Sequence, residues 1–167
     1  MTTWRGAGGA GTAIAMRNET NGRLMKTVAT SEPEWLTVRK ENIICMPLGL
    51  LGFESIKQYV LLTRPGEEPF LWLQMLDDPN HSFLVVSPFH VLPDYSPELS
   101  GDDVKFLALT DPEDAMILNI VTLRPEGQAS VNLKGPIVVN RHTLRAKQVI
   151  PTNAVDYILR HPISVTA

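Results

Sequence analysis

Residues 116–150 read MILNIVTLRPEGQASVNLKGPIVVNRHTLRAKQVI, and this stretch decides the fold. Ile117 to Val121 is nearly all apolar, as a strand covered on both faces is, whereas Ser130-Val131-Asn132-Leu133-Lys134 alternates polar with apolar, as a strand with one wet face does. Pro125, Gly127, Gly135 and Pro136 punctuate the stretch, and Asn140-Arg141-His142-Thr143 has hairpin-turn chemistry. Four strands are therefore expected, at 116–123, 129–134, 137–140 and 145–150.

The same pattern extends toward the amino terminus. Runs rich in Val, Ile, Leu and aromatic residues occur at 26–30, 35–39, 42–46, 59–64, 70–76 and 83–87, each bounded by turn-forming residues, with 13 prolines in the chain. One helix is expected after Pro97, with Ser100 as its cap, Asp102, Asp103 and Lys105 on the polar side, and Val104, Leu107 and Ala108 as a stripe. Residues 54–58 add one further turn. Many strands without βαβ alternation define an all-β, mainly antiparallel class: a small β-barrel-like single domain with one or two short helices. The chain divides into an extension at 1–24, rich in Gly, Ala, Thr and Asn and read as disordered, a domain at 25–163 and a tail at 164–167. Met16 and Met25 each offer an alternative start of translation.

Composition narrows the function. The 15 Lys and Arg against 18 Asp and Glu leave a net charge of −3, which gives no global pull toward nucleic acid. No apolar run reaches the ~18 residues of a membrane-spanning helix, and no secretory signal is evident. The single cysteine, Cys45, lies in the apolar run Ile43-Ile44-Cys45-Met46 and is expected to be a buried free thiol, which suits the cytoplasm. No metal site is expected, because His81, His90, His142 and His161 lack a second ligand at zinc spacing. Acidic pairs stand beside Pro or Gly, where they serve turns and caps. No nucleophile elbow, phosphate loop or dinucleotide fingerprint is present, so no catalytic residue and no cofactor is nominated.

Two segments do not read as ordinary loops. Pro47-Leu48-Gly49-Leu50-Leu51-Gly52-Phe53-Glu54 joins two glycines to large apolar residues, and Pro88-Phe89-His90-Val91-Leu92-Pro93-Asp94-Tyr95 is stiffened by prolines. Rigid apolar loops lose little entropy on binding a partner. Leu50 and Leu51 are expected to pack into the core; Phe53 and Glu54 in the first loop, Asp94 and Tyr95 in the second, and Asn140 with Arg141 at the late turn are the candidate partner contacts. Tyr95 as a core cap with its hydroxyl at the surface, and Asn140 as a left-handed turn residue, are the competing assignments.

Met46-Pro47-Leu48-Gly49-Leu50-Leu51-Gly52-Phe53-Glu54 resembles the Phe-Pro-x-Gly-x-x-Gly-Phe-Glu signature of the FliW family of flagellar assembly factors. Phe70-Leu71-Trp72-Leu73-Gln74, Asp77-Asp78-Pro79, Leu92-Pro93-Asp94-Tyr95, Asn119-Ile120-Val121-Thr122, the run from Val131 to Asn140, Lys147-Gln148-Val149 and the run from Tyr157 to Pro162 resemble later elements of that family in order, so the likeness covers Met25 to Ile163. Met46, Leu92 and Gly135 depart from it at positions assigned to packing. The resemblance implies a barrel-like fold and a cytoplasmic protein-binding regulator, with flagellin and the translational regulator CsrA as partners. By that resemblance the protein antagonises CsrA and relieves repression of flagellin translation. A monomer is expected, with no direct nucleic-acid or membrane partner. The alternative is a small-ligand-binding barrel whose mouth is lined by Tyr59, Phe70 and Trp72.

Overall fold

The strand Ala115–Leu123 is the longest among the described residues and organises the rest. The computed structural model describes residues 23–27, 33–78 and 80–164. In chain order its strands are β1 (Arg23–Thr27), β2 (Pro33–Thr37), β3 (Ile44–Cys45), β4 (Gln58–Leu62), β5 (Leu71–Met75), β6 (Ser82–Val86), β7 (Ala115–Leu123), β8 (Gln128–Val131), β9 (Ile137–Asn140), β10 (Ala146–Gln148) and β11 (His161–Ser164), with one α-helix, α1 (Gly101–Phe106), between β6 and β7. β1 and β2 form a separate antiparallel pair. The main sheet runs β10-β9-β7-β6-β5-β4-β3, and β8 joins β7 to β11.

β7 pairs with β9 from Ala115 to Leu118 and with β8 from Val121 to Leu123, while Asn119 and Ile120 meet β6. Its apolar composition follows from burial on both sides: Leu118 enters a cluster with Ile44, Tyr59, Leu73, Val85 and Ile137, and Val121 enters a second with Leu84, Val86 and Val131. Successive residues of one strand thus feed opposite cores, each fully buried aliphatic side chain contributing about 1.5–3 kcal/mol. The two ends of the main sheet meet where the Cys45 N–H donates to the Leu144 carbonyl at 2.9 Å, in a single bridge to Arg145. The sheet therefore curls into a barrel-like shape without closing fully.

Ser100 caps α1 as expected, its hydroxyl accepting from the Asp103 N–H at 3.1 Å. Leu107 is buried, but Ala108 lies past the helix at φ 51° and faces solvent. Asp103, expected on the wet side, is buried and ion-paired with Lys147. The turn expected at 54–58 is not helical: the Ile56 N–H donates to the Phe53 carbonyl and Gln58 already begins β4. A 3-10 turn at Lys40–Asn42 shortens β3, and the Asn132 side chain ends β8 early by accepting from the N–H groups of Lys134 and Gly135.

β11 was not expected, because Pro162 stands inside it. β1 begins at Arg23, so Arg23 and Leu24 belong to a strand, while the remainder of the amino-terminal extension, 1–22, and most of the tail, 165–167, lie outside the described residues. Cys45 is exposed, contrary to expectation. Ile44 and Met46 on either side are wholly buried, and strand alternation turns the thiol outward. An exposed lone thiol gives no sign of the redox compartment.

Candidate protein-binding surface

The loop 47–54 between β3 and β4 is built before any partner arrives. Its Gly49 N–H donates to the Met46 carbonyl at 2.9 Å and its Phe53 N–H to the Leu50 carbonyl at 2.7 Å. Gly49 takes φ +68°, and a Cβ there would lie 2.6 Å from Glu54 Cα and 2.7 Å from the Phe53 carbonyl oxygen, so only glycine permits the chain to fold back this closely. Leu50 plugs the barrel core, at 1% exposure. On the outside, the Leu51 N–H donates to Gln148 Oε1 at 3.0 Å, while Gln148 Nε2 donates to the Gly135 carbonyl at 3.2 Å, so β10 braces the loop.

Held in this way, the loop shows Leu51 to solvent at 82% exposure, Leu48 at 53% and Phe53 at 41%. Leu51 is thus not a core residue as expected; the turn after Leu50 directs it outward. Phe53 keeps one edge against Phe83, with ring centroids 5.1 Å apart at 84°. Glu54 is exposed, and its carboxylate accepts from the Gly52 N–H at 2.9 Å. That bond and the Lys57 charge hold its pKa below the usual value. The acidic group sits at the edge of an apolar tip.

The second segment opens with a 3-10 turn at Pro88–His90 and leaves Phe89 and Asp94 exposed. Tyr95 is a correction: it is buried, its hydroxyl donates to the Leu133 carbonyl at 2.7 Å, and its ring lies 4.6 Å from that of Tyr157. Burial pushes that hydroxyl up to about 12. Tyr95 therefore fastens the segment to the sheet and shows almost no surface. A groove of about 580 Å³ lies between this segment and α1, with Leu99, Val104, Leu109 and Ile117 among its walls. Tyr59, Phe70 and Trp72 are not among the residues lining it. Tyr59 is wholly buried, and Trp72 packs against the core with its Nε1 donating to Glu67 at 2.6 Å.

At the late hairpin the second correction falls. Asn140 is 2% exposed and makes four bonds: its Nδ2 donates to the carbonyls of Leu107 (2.9 Å) and Ala108 (3.2 Å), and its Oδ1 accepts from the N–H groups of His142 (2.9 Å) and Thr143 (3.2 Å). It is a scaffold residue at the end of β9, and the left-handed position of the turn belongs to Leu144 at φ 59°. Arg141 beside it is exposed. The hairpin leads into β10, so the 47–54 loop and the Arg141 turn are braced by one element, whereas Asp94 is tied to the sheet through Tyr95.

The hairpin is also anchored at Asp114. The carboxylate accepts from Thr110 Oγ1 at 2.8 Å, meets His142 Nε2 at 2.8 Å and accepts from the Asp111 N–H at 2.9 Å. These bonds, the Thr110 hydroxyl foremost, hold its pKa at about 2 against an ordinary 3.8. A carboxyl depressed in the folded state stabilises it above the unfolded value and loses that contribution as pH falls through the folded one. We expect thermal melts of the wild type to weaken more steeply between pH 3.8 and about 2 than those of Asp114→Asn; parallel pH profiles for the two proteins would refute this anchor.

Among the described residues no group of three or more His, Cys, Asp or Glu is placed to hold a metal, and no helix is long and apolar enough to cross a membrane. Fold and loops together describe a small barrel-like β domain with a braced apolar tip at its surface. The FliW protein family model matches residues 27–163. The chain is 38% identical over 124 residues to the flagellar assembly factor FliW of Syntrophus aciditrophicus (strain SB), covering 74% of this chain and 78% of that one. It is 37% identical over 144 residues to that of Geotalea uraniireducens (strain Rf4), covering 86% of each. A crystal structure of the flagellar assembly factor FliW matches with a TM-score of 0.70 at 30% identity, over 81% of this chain and 94% of that one. The chain belongs to the FliW family of flagellar assembly factors.

Proposed function

We propose that this protein is a cytoplasmic partner-switching regulator that works by contact and not by catalysis. It binds flagellin, and it binds CsrA in a way that keeps CsrA from repressing flagellin translation. Flagellin and CsrA compete for it, so export of flagellin frees the protein to antagonise CsrA. The observation that carries this reading is the braced 47–54 loop, in which Leu51 is 82% exposed although its backbone is bonded to Gln148. A preformed apolar tip gains burial energy at little entropic loss, and one leucine fully desolvated contributes about 2 kcal/mol. Leu48 and Phe53 extend the tip, with Glu54, Asp94 and Arg141 as candidate polar contacts around it. The net charge of −3 suits a basic RNA-binding partner and repels its RNA.

The test is Leu51→Glu, measured by binding of the purified protein to flagellin and to CsrA separately. An exposed side chain can change without loss of fold, so the melting temperature is expected to stay within about 2 °C. Affinity for at least one partner is expected to fall by about thirtyfold, the loss of an apolar contact plus the burial of a charge. Unchanged affinity for both would remove the loop from the interface.

A further inference from the structure

β8 and β11 pair in an antiparallel ladder beside β7, with Ser130 opposite Pro162 and Gln128 opposite Ser164. A groove of about 400 Å³ lies on this ladder, lined by Arg124, Gln128, Ser130, Arg160, Pro162 and Ser164 among others. Arg124 follows β7, and its N–H donates to the Gln128 carbonyl at 2.7 Å. Arg160 precedes His161, which pairs with Val131. The two arginines therefore stand at opposite ends and on opposite sides of β8, with backbones about 16 Å apart, ~13 Å along the strands and ~10 Å across them, a span their long side chains shorten.

Both are exposed, and among the described residues neither enters an ion pair. Glu126 stands in the turn between β7 and β8 and pairs with neither. In a chain of net charge −3, two unpaired guanidiniums share one groove, and each follows a half-exposed leucine, Leu123 and Leu159. A guanidinium presents a planar fork of donors that matches a carboxylate at both oxygens. The groove lining holds no aromatic ring on which a nucleobase could stack, which favours carboxylates over RNA. β11 has no second strand partner among the described residues, but Pro162 removes an N–H from it, so strand addition there is blunted. A guest is held through its side chains.

We infer that this groove binds an acidic protein segment in extended conformation, with two carboxylates about four residues apart, one on Arg124 and one on Arg160. The inference goes beyond the partner reading above, because it uses none of the 47–54 loop and does not depend on either named partner.

The experiment is an amide-resolved NMR titration of the full 167-residue chain with three probes. These are a synthetic peptide of about eight residues with two glutamates four positions apart, the same peptide with glutamines, and an oligouridine of similar length. The glutamate peptide is expected to shift the amides of Gly127, Ala129 and Ser130, with the other two probes leaving them in place. Arg124→Gln and Arg160→Gln are each expected to weaken glutamate-peptide binding about tenfold, as loss of one charge-assisted pair does. Retained spectral dispersion checks the fold of each variant, and either one suffices. Equal shifts from the glutamine peptide, stronger shifts from the RNA, or no shift around the groove would each overturn the inference. Failure of the flagellin and CsrA assays would leave this result unaffected.

Discussion

Gly49→Ala is expected to lower the melting temperature by about 10 °C and to remove the proposed partner binding, whereas Gly52→Ala, three residues along the same loop, is expected to lose less than half as much stability. Both glycines have positive φ, at +68° and +85°, and an alanine in that region costs about 1–2 kcal/mol. The difference lies in what the new methyl meets. At Gly52 nothing lies within 4 Å; at Gly49 the nearest atoms, at 2.6 to 2.8 Å, all belong to the backbone of Phe53 and Glu54, which cannot rotate away. Overpacking adds about 1–3 kcal/mol, so the sum is about 3 kcal/mol, and each kcal/mol shifts the melting temperature of a domain this size by about 2–4 °C. Because Leu48, Leu51 and Phe53 are displayed by this fold-back, the binding proposed for the tip is expected to be lost with it. Equal thermal shifts for the two variants would show that the fold-back is not closed as described.

Asn140→Leu is expected to destabilise the protein by about 3 kcal/mol, although it exchanges a buried polar side chain for an apolar one of similar size. The substitution strips a donor from the Leu107 and Ala108 carbonyls and an acceptor from the His142 and Thr143 N–H groups. Each unsatisfied buried group costs about 1–3 kcal/mol, less where solvent can reach it, as at the exposed hairpin residues. Asn140→Asp keeps the acceptor but sets a carboxylate against two carbonyl oxygens, and it is expected to be no better tolerated. The urea midpoint measures the loss, and faster amide exchange at His142 and Thr143 locates it. An Asn140→Leu protein as stable as wild type, with weakened partner binding, would restore Asn140 to the interface from which its burial removes it.

These two residues also show what could be read in the chain beforehand. β7 and β9 were legible because their apolar runs are rich in Val, Ile and Leu and bounded by Pro, Gly or Asn, as buried strands are, and the cap at Ser100 because a hydroxyl before a short polar turn suits a helix start. The family was legible in the ordered motifs that carry the resemblance, and at one of them, Gly49, the fold-back admits no other residue. What failed depended on direction in space. Leu50 and Leu51 are chemically alike, and only the path of the loop sends one into the core and the other into water. Cys45 lies in an apolar run, yet a two-residue strand turns it out. Tyr95 and Asn140 have the composition of contact residues, and each is spent on backbone carbonyls within the fold. The groove between Arg124 and Arg160 was invisible because it depends on β11, a strand hidden by its proline.

The proposed function requires one protein to meet two partners through a preformed surface, and one competition experiment tests this most directly. Wild-type protein is bound to immobilised CsrA and increasing flagellin is added in solution. Flagellin is expected to release the protein from CsrA in a saturable manner, and flagellin mixed with a large excess of free wild-type protein is expected no longer to do so. Undiminished CsrA binding at saturating flagellin, or no binding of CsrA at the start, would contradict it.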